Sequence, residues 1–185
     1  TVALTRMIYA GIFERYPDYR FVNIDKLTYA SDESYLDSIR SSGRYTFAKV
    51  DLVNKADVTA VFEEHKPDGI IHLAAETHVD NSISGPEVFI YSNVVGTMNL
   101  LELARRTWAA GSTNRFHHVS TDEVYGSAAP GSSFREDTPY SPNSPYSASK
   151  AASDHLVRAY HTTYGLNVVV TNCSNNFGPH QHDEK

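Results

Sequence analysis

The sequence predicts an α/β fold built as a doubly wound parallel sheet with helices packed against it. Three observations carry this. Short apolar runs alternate with helix-length segments along most of the chain. The runs are continuous rather than alternating apolar and polar, as in strands buried on both faces by helices. The polar residues that stand out fall just after these runs, and strand ends line the ligand crevice in sheets of this kind. They are Asp25, Asp51, His72 to Glu76, Ser120 to Glu123 and Asn172 to Asn176.

Each element has a local reason. Residues 1–16 read as a helix with Leu4, Ile8 and Ile12 on one face, ended by Pro17-Asp18. Residues 20–25 and 45–50 read as strands. Residues 55–65 form a helix that turns Val58, Val61 and Phe62 toward the sheet, and Pro67-Asp68 makes the turn into a buried strand at 69–72. Residues 86–106 are helical, with a break near Gly96. Residues 115–120 are a strand, and 128–145 are a loop rich in Pro, Ser and Gly. The helix at 146–164 ends at Gly165, and residues 167–172 are the last strand. No internal repeat interrupts this order.

The chain has 185 residues, of which 41% are hydrophobic, enough for one domain with a real core. No apolar stretch approaches the ~20 residues of a membrane span. The net charge of −6 speaks against a nucleic-acid surface, which carries a basic balance. The one cysteine, Cys173, has no internal disulfide partner, which fits a reducing cytoplasm. The chain opens without a strand and Gly-rich turn for a pyrophosphate and stops straight after a polar loop. It therefore reads as a single domain over 1–185 that lacks a first strand with its Gly-rich turn and a C-terminal substrate region.

The chemistry concentrates in Ser120-Thr121-Asp122-Glu123-Val124-Tyr125-Gly126 and Tyr146-Ser147-Ala148-Ser149-Lys150. The first sets a hydroxyl beside two carboxylates at a strand end, where the chain can turn and present both. One carboxylate can act as acid and the other as base if their surroundings hold them apart. The alternative is a polar cap on the following turn. The second sets a phenol and an ammonium four residues apart on one helical face. A nearby cation favours the phenolate, so Tyr146 can take a hydroxyl proton as hydride leaves the same carbon. A plain surface pair is the bland alternative. Together the groups suit oxidation of an alcohol coupled to loss of water.

Other positions are less specific. Asp25 ends a strand where an acid would accept hydrogen bonds from an adenine ribose, or merely cap the strand end. An acid there favours NAD over NADP. Asp51 either meets the adenine amino group or caps the helix that follows. Ala74 and Ala75 let the backbone approach a planar cofactor, Thr77 can reach a substrate hydroxyl, and Glu76, His78 and Asp80 can brace the site. His72 and His78 are a weak metal pair, and no metal is expected. Asn175 and Asn176 offer amides to a ligand or to their own loop. Cys173 reads as a buried small residue.

These stretches, with Asp25-Lys26-Leu27-Thr28-Tyr29-Ala30, His72 to Asp80 and Thr171 to Pro179, resemble the extended short-chain dehydrogenase/reductase superfamily, with its Rossmann-like fold. Within it they are most similar to the dTDP-glucose 4,6-dehydratase family. Thr121-Asp122-Glu123 is the most specific match, since related epimerases carry small residues at the two acids. The resemblance implies an NAD-dependent hydro-lyase. Tyr146, helped by Lys150, would deprotonate the glucose 4-hydroxyl, and Thr121 would orient it. Glu123 would remove the C5 proton and Asp122 would protonate the departing 6-hydroxyl.

The resemblance further implies that Asp25, Lys26, Leu27, Thr28, Asp51, Leu52, Leu73, Ala74, Ala75, Ser92, Tyr146, Lys150 and Asn176 bind NAD. It places Thr77, Thr121 and Asn175 on the sugar nucleotide. It also implies a cytoplasmic homodimer formed by the helices at 86–106 and 146–164. Asn81 stands where the family more often has Arg. The rival readings are an NAD-dependent nucleotide-sugar 4-epimerase, which needs no elimination acid or base, and an inactive NAD-binding fragment.

Overall fold

The structure is a computed structural model that describes residues 11–29, 31 and 36–176. It divides into two compact units, which are taken in turn. The expected face of Leu4 and Ile8 lies outside the described residues.

The first unit reaches to Asp51. Helix α1 (Ile12–Arg15) is followed by strand β1 (Phe21–Asp25), helix α2 (Asp37–Arg40) and strand β2 (Tyr45–Lys49). β1 and β2 pair in parallel, Phe21 opposite Tyr45 through Asp25 opposite Lys49. Leu36 and Ile39 form its buried centre, with Ile12, Phe21 and Tyr45 packed around them. α2 was not expected from the sequence; a single turn is too short to show helical periodicity.

The second unit begins at Leu52. It holds α3 (Lys55–His65), β3 (Gly69–His72), α4 (Val79–Ser84), α5 (Pro86–Phe89), a π-helical turn (Ile90–Val95) and α6 (Gly96–Thr107). Then come β4 (Arg115–Thr121), a 3₁₀ turn (Asp122–Tyr125), α7 (Pro145–Tyr164) and β5 (Val168–Cys173). The strands form a parallel sheet in the order β3-β4-β5. β4 lies opposite both neighbours, with His72 facing His118 and Thr121 facing Cys173.

Several expectations are refined. The helix at 55–65 is capped by Asn54, whose side chain accepts from the Ala56 and Asp57 amides, so Asp51 does not cap it. Val58 and Phe62 are buried as expected. The helix at 86–106 is three consecutive segments, and the expected break near Gly96 is the wide turn that ends just before it. A Cβ at Gly96 would come within 3.1 Å of the Leu52 Cβ, so glycine lets the helix approach there. The long α7 begins one residue early, at Pro145, with Ser144 and Ser147 forming a reciprocal cap, and ends at left-handed Gly165. β3 is not fully buried. Ile71 keeps 48% of its surface and Val169 on β5 keeps 36%, because alternate residues point to the opposite face of the sheet.

Candidate active site

β4 runs directly into the site. Its last residue, Thr121, is buried and N-caps the 3₁₀ turn by accepting from the Glu123 amide at 3.2 Å. That turn breaks the strand's alternation, so Asp122 and Glu123 are both half-buried rather than facing opposite ways. Gly126 closes the turn at φ 86. The chain returns over it at Ser141, whose amide donates to the Val124 carbonyl at 2.9 Å.

α7 brings the second motif against this strand end. Tyr146 is 5% exposed and packs edge-on against Phe89. Its phenol is pushed up to about 12. Burial is the main cause, a hydrogen bond with the Thr121 side chain opposes it, and the charges of Glu123 and Asp122 add to it. The phenol therefore moves up rather than down as expected, since desolvation of a phenolate costs more here than the site's polar groups return. α7 packs against the end of β4 and the turn at Asp122–Tyr125, and the Thr121 hydroxyl and the charges of Asp122, Glu123 and Cys173 act on the Tyr146 phenol.

Lys150 is 4% exposed and donates to the Val119 carbonyl at 2.9 Å. Burial brings its ammonium down to about 8, and Asp154 and Cys173 pull it back up. An ammonium carries three donors, and among the described residues Val119 takes one. Cys173, expected to be buried, is half-buried.

The loop after β3 is held by a residue that the sequence reading missed. Asn93, in the π-helical turn, is 1% exposed. Its Oδ1 accepts from the Glu76 amide at 2.8 Å, and its Nδ2 donates to the Glu76 carbonyl and to Ser149 Oγ, each at 2.9 Å. Ser149 in turn donates to the Tyr146 carbonyl at 2.7 Å. One amide thus ties the β3 loop to the helix of Tyr146 and Lys150. The available signal was an amide set directly before the apolar Val94-Val95 pair inside a helical segment.

His72 and His78 have separate roles. His72 is buried and its Nε2 lies 2.8 Å from Thr97 Oγ1. Thr97 donates its proton to the Asn93 carbonyl at 2.6 Å, so His72 Nε2 is the donor toward Thr97. His78 Nδ1 accepts from the Asn81 amide and caps α4. Among the described residues no group of three or more His, Cys, Asp and Glu side chains is placed to hold a metal ion. Leu73 to Thr77 follow β3 as an open segment, Ser92 is half-buried in the π-helical turn, and Asn175 and Asn176 follow β5, exposed. Leu52 is buried and its carbonyl accepts from Asn99 Nδ2 at 2.8 Å. In the first unit, Asp25 Oδ1 accepts from the Leu27 amide at 2.8 Å and Leu27 takes a left-handed φ of 56, while Lys26 and Thr28 flank it, half-buried.

The sequence matches a family model described as GDP-mannose 4,6 dehydratase over residues 12–185. The chain belongs to this family. Among curated dehydratases it is 52% identical to the dTDP-glucose 4,6-dehydratase of Salmonella typhimurium, over 89% of this chain and 49% of that protein. It is 53% identical to that of Haemophilus influenzae, over 89% of this chain and 50% of the other. A double mutant of the dTDP-glucose 4,6-dehydratase of Streptomyces venezuelae, solved with NAD bound, superposes with a TM-score of 0.88 at 41% identity, covering 100% of this chain and 55% of that one. The chain spans about half the length of the curated dehydratases it matches.

Proposed function

We propose that the protein is an NAD-dependent nucleotide-sugar 4,6-dehydratase acting on dTDP-glucose and forming dTDP-4-keto-6-deoxyglucose. The observation that carries this is the meeting of Thr121, Asp122 and Glu123 around the buried Tyr146 phenol. An oxidation alone needs the Tyr146–Lys150 pair; an elimination needs two further carboxylates, and both are at hand. The names of the dehydratase relatives support the same substrate.

The residues of the second unit fit a nicotinamide cofactor. Lys150 keeps donors beyond the one on Val119, suited to ribose hydroxyls, and the small Ala74 and Ala75 at the open end of β3 admit a planar ring. NAD, when bound, supplies a hydride acceptor for C4 that later returns the hydride to C6. Tyr146, its burial-raised phenol brought down by Lys150 and by the positive ring once the cofactor is bound, would take the proton of the 4-hydroxyl, and Thr121 would hold that hydroxyl in line. The 4-ketone acidifies C5–H, whose proton passes to Glu123. Asp122 gives a proton to the 6-hydroxyl, which leaves as water, and a proton returns to C5 as the hydride is delivered to C6.

On sequence grounds the proposal also assigns Asp25, Lys26, Leu27, Thr28, Asp51, Leu52, Leu73, Ser92 and Asn176 to NAD, and Thr77 and Asn175 to the substrate. It takes residues 1–185 as one cofactor-binding domain. No described helix is long and apolar enough to cross a membrane. We place the protein in the cytoplasm, consistent with its single cysteine. We propose a homodimer through the α5–α6 segment and α7, supported by exposed Val88, Tyr91 and Met98.

Mass spectrometry of dTDP-glucose incubated with the protein and NAD tests the reading. Loss of one water is expected. Unchanged mass with inverted C4 stereochemistry would replace it with the epimerase, and an untouched substrate would leave an inactive cofactor-binding fragment.

A further inference from the structure

A second buried polar cluster lies behind the proton-transfer groups. Asp154 stands on α7 four residues after Lys150 and is 3% exposed. Its Oδ2 accepts from Ser120 Oγ at 2.7 Å, from the Tyr140 hydroxyl at 2.9 Å and from Asn172 Nδ2 at 3.4 Å. Its Oδ1 faces the fully buried His118 Nε2 at 3.1 Å. Asn172 Nδ2 also donates to the Thr121 carbonyl at 3.2 Å. The carboxylate therefore joins β4, β5, α7 and the loop that returns to α7.

Lys150 and Asp154 lie one helical turn apart and grip consecutive residues of β4. Lys150 donates to the Val119 carbonyl and Asp154 accepts from Ser120. The next residues along the strand are Thr121, Asp122 and Glu123. A buried ammonium also needs a nearby opposite charge, because an uncompensated buried ion is strongly destabilising. The titratable groups acting on Lys150 or acted on by it are His72 from β3, His118 from β4, Cys173 from β5 and Asp154 from its own helix. Burial holds both imidazoles below the ordinary histidine value. The carboxylate in this set is Asp154.

We propose that Asp154 is a positioning residue: it is the buried counter-charge of Lys150 and holds the end of β4 in place against Tyr146, while Tyr140 latches the loop at 127–144 onto the same carboxylate. Its kinetic consequence rests on the dehydratase reading; its electrostatic consequence does not.

The test is an NMR titration of the Lys150 side chain in the full-length protein, assigned by its loss in Lys150→Met, beside steady-state kinetics with dTDP-glucose and NAD. Asp154→Asn should make Lys150 bind its proton ~10-fold or more weakly. It should lower kcat by ~10- to 100-fold with KM little changed. Asp154→Glu should recover most of both. Tyr140→Phe keeps the charge and should leave the Lys150 titration in place. An unmoved Lys150 in Asp154→Asn, or an equal movement in Tyr140→Phe, would overturn the proposal. If Asp154→Asn does not fold, the double variant Lys150→Met/Asp154→Asn should fold again, since no lone buried cation remains; a double variant that also fails would overturn it. If the protein leaves dTDP-glucose untouched, the dehydratase reading falls while the titration still decides the role of Asp154.

Discussion

Asn93 grips Glu76 by both of its backbone groups, accepting from the amide at 2.8 Å and donating to the carbonyl at 2.9 Å. A side-chain amide has one acceptor and two donors, and the remaining donor goes to Ser149. The loop after β3 thus has its course set by a helix rather than by a sheet partner.

Replacing Asn93 with Ala removes three hydrogen bonds of a buried amide, to the Glu76 amide and carbonyl and to Ser149. Each is worth about 0.5–1.5 kcal/mol, so Asn93→Ala should lose ~2–4 kcal/mol of unfolding free energy. Urea unfolding checks this. A loss below ~1 kcal/mol would mean that water reaches the Glu76 backbone and replaces the bonds.

Gly126 permits the turn that delivers Asp122 and Glu123. At φ 86 a side chain is already strained, and an added Cβ would lie 2.5 Å from the Ser141 carbonyl oxygen. Gly126→Ala should therefore destabilise by ~2 kcal/mol or more, the clash adding to the backbone strain. Gly131, with φ 78 and nothing near its would-be Cβ, is the control. Gly131→Ala should lose only ~1–2 kcal/mol, the backbone part alone. Equal thermal shifts in the two variants would show that the Ser141 contact is absent.

Stability should depend on pH through His72 and His118. Burial is the first cause of the lowering in both, reinforced at His72 by His118 and Lys150 and opposed at His118 by its contact with Asp154. A depressed folded-state value means that the unfolded chain binds protons that the native state refuses. Their contribution is complete above about 6.5 and is lost as pH falls below it toward the folded-state values. The slope is at most ~1.4 kcal/mol per pH unit for each histidine. Melting temperature measured from pH 7.5 to 5 should fall, and His72→Gln should flatten the fall. A curve of identical slope in His72→Gln would exclude His72 as a source.

Tyr146→Phe and Asp122→Asn should separate the two halves of the proposed reaction. The first removes the acceptor of the 4-hydroxyl proton and should abolish oxidation at C4. The second leaves that acceptor in place and should slow water loss by ~10²-fold or more. Single-turnover absorbance of reduced NAD reads the oxidation, and mass spectrometry reads the elimination. Equal, mild effects of both changes would remove the division of labour.

The most legible part of the chain was the set of residues whose local chemistry is decided within a few positions. Gly165 ends α7 as expected because a C-cap acts through neighbouring backbone groups, whereas the Ser144–Ser147 cap that starts it at Pro145 was not read. The Thr121-Asp122-Glu123 and Tyr146–Lys150 groups were readable for a similar reason: their spacing places them at a strand end and on one helical face. The three-part form of the helix at 86–106 was less legible, because a π-helical turn needs one extra residue per bond and leaves no periodic mark in so short a run.

By itself, the sequence determined the alternation of strands and helices, the parallel pairing and the candidate groups for proton transfer, since these follow from periodicity and residue chemistry. Only the tertiary structure decided that Tyr146 is pushed upward rather than lowered, that Asn93 holds Glu76, and that Asp154 gathers Ser120, Tyr140, Asn172 and His118. Those outcomes depend on burial and on partners distant in sequence. Desolvation and long-range hydrogen bonds are properties of the packed neighbourhood, and no local spacing encodes them.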